Sequence, residues 1–193
     1  VRKWKRVDTA DGPRFRSALA SHEAALLESL VSSMLAMLDE RESSSPADEL
    51  EEITGFKTGN SQPPEDETMK RLLPDFYRAP TDHPAGSSAT DSLNSALRSL
   101  HEPQIITAKR EAAQRLLDTV PNGGGRFELS EDDANAWAAA VNDVRLALGT
   151  MLDIGPEGPD RVPPEHPMAG HFDVYQWLTV LQEYLVLGLM DKR

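Results

Sequence analysis

The chain predicts a mainly α fold: a compact helical domain carrying a small antiparallel β-sheet. Three observations lead there. Apolar residues recur at three- and four-residue spacing over several long stretches. Two short strand-like runs flank a turn near the start. A third such run, 126–129, follows a glycine-rich loop. With 193 residues, 39% of them hydrophobic, the chain suits a single domain spanning 1–193. A flexible loop is expected within it at 79–91.

The elements follow in order. Trp4 to Val7 and Pro13 to Ser17 read as two strands, joined by Thr9-Ala10-Asp11-Gly12. Gly12 is free to take positive φ there, so the pair predicts a hairpin. Ser21 reads as the cap of a helix running to Arg41, with Leu27, Leu30, Val31, Met34, Leu35 and Leu38 on one face. Ser45-Pro46-Ala47-Asp48 predicts a short capped helix to Ile53. Glu67 to Leu73 predicts another, stopped by Pro74. The stretch 78–91 is rich in Pro, Gly, Ser and Ala and nearly without large apolar residues, which predicts the loop. A helical pattern resumes at Ser92. Pro103 is expected to mark a break and restart rather than an interior residue.

Pro121-Asn122-Gly123-Gly124-Gly125 is a loop, and Arg126 to Leu129 predicts a third strand pairing with the hairpin. Ser130 then caps a helix, with Asp133 in the capping-box position. Trp137, Val141, Val144, Leu148 and Met151 line its apolar face. The last helix, Met168 to Met190, is apolar round most of its circumference from Val174 to Leu189. Such a helix is either central to the bundle or a homodimer seam. The Trp137 and Trp177 helices are expected at the centre of the fold.

Composition removes several function classes. No cysteine is present, which excludes disulfides, thiolate catalysis and thiol redox chemistry in this chain. No apolar run of membrane-spanning length exists, and the start lacks the apolar stretch of a signal peptide. A cytoplasmic location is expected. The histidines do not stand at metal-binding helical spacing. His171 with Asp173 makes a carboxylate–histidine constellation conceivable, but surface histidines around a helix start are the favoured reading. Gly123-Gly124-Gly125 lacks the Lys-Ser/Thr of a phosphate loop. Nothing assembles a nucleophile, a base and an oxyanion site. The chain is therefore expected not to be an enzyme, with no catalytic, cofactor or metal residues. Asn142, Asp143 and Arg145 are polar within a helix and read as an exposed face. The sharper alternative is a network to a neighbouring helix, with Arg145 pairing a carboxylate such as Glu183.

The charge is unevenly placed. Arg2, Lys3, Lys5, Arg6, Arg14 and Arg16 face only Asp8 and Asp11 within the first 17 residues, against a net charge of −12 for the chain. Such a field steers an acidic partner to one place. With Trp4 among them, these residues are the candidate partner-binding set. Promoter DNA is a second candidate, expected to bind weakly because the chain is acidic overall.

Several segments stand in a telling order: Arg2-Lys3-Trp4-Lys5-Arg6, Asp11-Gly12-Pro13-Arg14-Phe15-Arg16, His22 to Leu27, Arg71 to Arg78, Asn135-Ala136-Trp137 with Asn142 to Leu146, and Tyr175-Gln176-Trp177-Leu178. Together they resemble an actinobacterial domain-of-unknown-function family. The resemblance implies a transcriptional regulator of oxidative stress and redox homeostasis. It also implies contact with a stress-responsive sigma factor or RNA polymerase. A protein–protein adaptor without a promoter role is the alternative. Redox sensing in that family is attributed to a cysteine pair, which this chain lacks. That leaves the partner, or oxidation of its six methionines, or a member that does not itself sense.

Overall fold

A computed structural model describes residues 3–45, 58–77, 88–155, 158, 163 and 165–190. Among them are a three-stranded sheet and five helices: β1 (Lys5–Thr9), β2 (Gly12–Leu19), α1 (Ser21–Ser43), α2 (Glu67–Leu72), α3 (Ser88–Thr119), β3 (Gly125–Leu129), α4 (Glu131–Met151) and α5 (Ala169–Met190). The mainly α fold with a small sheet is thus observed. The expected helix at 46–53 and loop residues 79–87 lie outside the described residues. Ser88 to Asp91, expected as loop, instead form the first turn of α3. Two compact units make up the chain, Val1–Leu35 with Lys109–Arg193, and Ala36–Ala108.

In the first unit the strand order is β1-β2-β3, antiparallel throughout. Thr9 pairs with Gly12 across the two-residue turn, and Gly12 takes φ +101°. β3 joins the hairpin as expected, Phe15 opposite Leu129. Its approach depends on Gly124, at φ +82°. A Cβ there would lie 2.7–2.9 Å from the backbone of Leu19, Ala20 and Ser21. Only glycine lets the loop pass so close.

Ser21 does not cap α1. Ala20 stands before the helix, its N–H donating to Glu23 Oε2 at 2.7 Å. The Ser21 hydroxyl donates instead to the Gly123 carbonyl at 2.6 Å, tying the glycine loop to the helix start. Ser130 does cap α4, accepting from Asp133 N–H at 3.1 Å and donating to the Asp133 carboxylate at 2.6 Å.

The core of this unit holds Phe15, Leu27, Val31, Leu116, Leu129, Trp137, Val141, Leu178, Leu181 and Leu185, all buried. Each such side chain contributes roughly 1.5–3 kcal/mol by leaving water. α4 and α5, the Trp137 and Trp177 helices, pack against each other. α5 buries one stripe, Leu178, Leu181 and Leu185. Gln176 and Glu183 are exposed on it, together with Leu187 and Met190.

The polar α4 residues are a network rather than an exposed face, but not with the expected partner. Arg145 donates to Thr179 Oγ1 at 3.0 Å and to Gln182 Oε1 at 2.5 Å, and its guanidinium lies over the Tyr175 ring. Glu183, one residue beyond Gln182, is exposed. A 100° helical step turns it off the α4-facing side. Asp143 is buried and accepts from Lys109 Nζ at 2.7 Å. Burial pushes its carboxyl pKa up, against the opposing pull of Lys109.

The second unit corrects the Pro103 reading: α3 runs straight through it. Pro103 has no N–H, so the Ser99 carbonyl four residues earlier loses its helical donor. Gly59 N–H replaces it at 2.8 Å. A Cβ on Gly59 would sit 2.8 Å from the Pro103 ring, so glycine is what permits the approach. The loop before α2 is further held by Arg41, which donates to the Gln62 carbonyl at 2.6 Å. Asp66 caps α2 by accepting from Met69 N–H at 2.9 Å. After it, Asn94 accepts from Tyr77 N–H and donates to Tyr77 O, at 2.8 and 2.9 Å.

Candidate partner-binding surface

Side chains alternate across a strand, and the pairing register therefore sorts the basic start of the chain. Lys5, Arg16 and Glu128 stand abreast, as do Val7 with Arg14 and Ala18 with Arg126. Lys5, Arg16, Arg126 and Glu128 are exposed, and Arg14 is half-buried. This outer face carries four cations against one carboxylate. Glu128 sits among them, 2.5 Å from Arg16 Nε and 4.0 Å from Arg14 Nε.

The inner face is different. Phe15 and Leu129 are fully buried. Phe127 stacks on Trp137 with ring centroids 5.1 Å apart. Trp4, 8% exposed, meets both rings edge-on at 5.4 and 5.8 Å. Trp4 is thus a core residue that anchors the strand rather than a contact for a partner. Its Nε1 is buried without a hydrogen-bond partner among the described residues.

The candidate set thus divides. Lys5, Arg14 and Arg16 share the outer face. Arg6 falls on the inner side of the register, half-buried, and pairs with Asp8 at 3.2 Å. Lys3 lies over the Tyr184 ring at 5.8 Å from its centroid. Arg2 lies outside the described residues. The sequence reading missed Arg126. The signal was available: Arg126 and Glu128 are two apart in a strand, so both share a face.

Other candidates stay apart from this surface. His171 and Asp173 are both exposed near the start of α5. His166 Nδ1 accepts from Met168 N–H at 3.1 Å, a local turn contact. Among the described residues no group of three or more His, Asp or Glu is placed to hold a metal ion. No described helix is long and apolar enough to cross a membrane. A buried polar cluster lies in the second unit. Arg98, 2% exposed, donates to Glu102 at 2.8 Å, to the Leu73 carbonyl at 3.1 Å and to Asp75 at 2.7 Å. Arg41 donates to the other Glu102 oxygen at 2.7 Å. These contacts hold chain segments together.

The described residues thus form a mainly helical fold with a basic face on its sheet. The chain belongs to the family described as Domain of unknown function (DUF2017), whose model matches residues 1–189. Its relatives include "Oxidative stress regulator AosR" of Mycobacterium bovis, 67% identical over 196 residues, which cover 100% of this chain and 90% of the relative. The Mycobacterium tuberculosis protein of that name matches to the same extent. A Mycobacterium leprae relative is 66% identical over 194 residues, 98% of this chain and 89% of its own. No solved structure matches.

Proposed function

We propose that this chain is a cytoplasmic, non-catalytic regulator of transcription in the oxidative stress response and in redox homeostasis. It acts by binding a stress-responsive sigma factor or RNA polymerase through the outer face of its sheet. The observation that carries the reading is the outer face itself: Lys5, Arg14, Arg16 and Arg126 around one Glu128, on a chain of net charge −12. A cationic face on an acidic chain orients an approaching acidic protein. The relatives' names supply the process. Promoter DNA is a minor partner in this reading, because about three surplus charges release few counterions.

The test is capture from an actinobacterial lysate, with and without peroxide, using the full chain and a Lys5→Glu/Arg14→Glu/Arg126→Glu variant. Wild type is expected to recover sigma factor or polymerase, more of it after peroxide. The variant is expected to recover neither while keeping its circular dichroism and melting temperature. Full recovery by the variant removes the sheet face from the reading. Recovery of only other proteins by wild type favours the adaptor role instead.

A further inference from the structure

We propose that Met37 and Met69 form an oxidation site through which peroxide loosens α2 and the chain segments attached to it. The inference rests on the proposed role in the oxidative stress response. The chain has no cysteine, so methionine is its only sulfur. Where the methionines stand therefore decides what an oxidant can change.

Five of the six fall into three environments, and Met168 stands half-buried just before α5. Met151 and Met190 are 65% and 70% exposed at the ends of their helices. A sulfoxide there stays in water and disturbs no packing. Met34 is buried in the core of the first unit. Met37 and Met69 instead share the wall of an open groove of about 510 Å³, together with Glu40, Arg41, Pro63 and Pro64. Met37 is half-buried and Met69 is buried at the groove wall. A molecule the size of hydrogen peroxide fits this space easily. Both side chains thus border the groove while packed into its wall.

The reaction balances without a cofactor. The thioether sulfur attacks one peroxide oxygen and the O–O bond breaks. The sulfur becomes a sulfoxide, oxidised by two electrons, and the other oxygen leaves as water. The product replaces an apolar contact with a strong dipole.

The consequence follows from how α2 is built. It has six residues, too few to persist without packing. Met69, Leu72 and Thr68 are its buried residues. Met69 is also its backbone centre: its N–H goes to the Asp66 cap and its carbonyl accepts from Leu73 N–H at 2.8 Å. The Leu73 carbonyl in turn accepts from buried Arg98. Prying Met69 from the wall therefore loosens the cap, the helix and the Arg98 contact in sequence.

Peroxide treatment of the full chain, followed by peptide mass spectrometry and amide hydrogen exchange, tests this. Met151 and Met190 are expected to oxidise first with no change in exchange. Oxidation of Met37 and Met69 comes next, ahead of Met34, and exchange at 66–73 speeds up in step by about tenfold or more. Met37→Leu/Met69→Leu keeps the volume and should abolish the speed-up, whereas Met151→Leu/Met190→Leu should not. Unchanged exchange at 66–73 with both groove methionines oxidised overturns the inference. So does oxidation of Met37 and Met69 no faster than Met34, or a speed-up that survives in M37L/M69L. The proposed function fails separately. If peroxide-dependent partner capture persists in M37L/M69L, that reading stands and the groove does not. If the groove opens without any change in capture, the groove stands and the regulatory reading does not.

Discussion

Replacing Arg98 by methionine tests the polar cluster of the second unit most directly. Methionine follows the arginine stem, so packing is largely kept and the guanidinium contacts are lost. Removing one member of a buried ion pair costs about 3–5 kcal/mol when the survivor is stranded. Here Glu102 is not stranded, because Arg41 Nε still donates to it at 2.7 Å. That pulls the loss on Glu102 down to about 2 kcal/mol. The Leu73 carbonyl loses a donor, about 1 kcal/mol more. Asp75 is 60% exposed, so its pair with Arg98 contributes under about 1 kcal/mol. The expected cost of R98M is about 3 kcal/mol. Glu102→Gln should cost at least as much, since Glu102 serves both arginines. Asp75→Ala should cost under about 1 kcal/mol. Urea unfolding followed by circular dichroism gives the order, and hydrogen exchange over 58–77 locates it. If D75A costs as much as R98M, or E102Q is nearly silent, Glu102 is not the hub and the reasoning fails.

Further predictions concern single contacts. Asp143 has its pKa raised by burial, so over the window between the ordinary value near 3.9 and the raised one the folded state holds more protons than the unfolded. Its contribution to stability therefore grows as pH falls through the raised pKa. The stability of wild type relative to Asp143→Asn should rise as pH drops from 7 towards 4, and urea titrations giving a constant or opposite trend would refute it. Gly59→Ala forces a Cβ to 2.8 Å from the Pro103 ring. It should cost about 1–3 kcal/mol and speed exchange of the amide at position 59, which bonds the Ser99 carbonyl; an unchanged midpoint would show that the loop yields freely. Gly124→Ala meets both a positive φ and three backbone atoms, and should cost about 2 kcal/mol or more in thermal or urea unfolding.

Much of the fold was legible because local rules carry it. The hairpin announced itself through Thr9 to Gly12, α4 through Ser130 and Asp133, and the third strand through the short run that follows the glycine loop. Where the reading missed, a distant residue had changed a local rule. Pro103 ought to interrupt a helix, and it does remove a donor, but Gly59, 44 positions earlier, returns that donor to Ser99. Ser21 ought to cap α1, but Gly123 draws its hydroxyl away. Asp143 looked exposed because its partner, Lys109, lies on another helix.

The same division runs through the candidate surface. The sequence by itself determined that the chain is mainly helical, lacks thiol chemistry and concentrates positive charge at its start. Those properties depend on composition and on spacings of two to four residues. Only the tertiary structure decided which of those charges act together. Register sends Lys5, Arg14 and Arg16 outward to join Arg126 from a strand more than a hundred residues away, while Trp4 and Arg6 turn inward. It likewise decided which methionines share a groove. Cross-strand pairing and groove lining are relations between residues far apart in the chain, and local spacing carries no record of them.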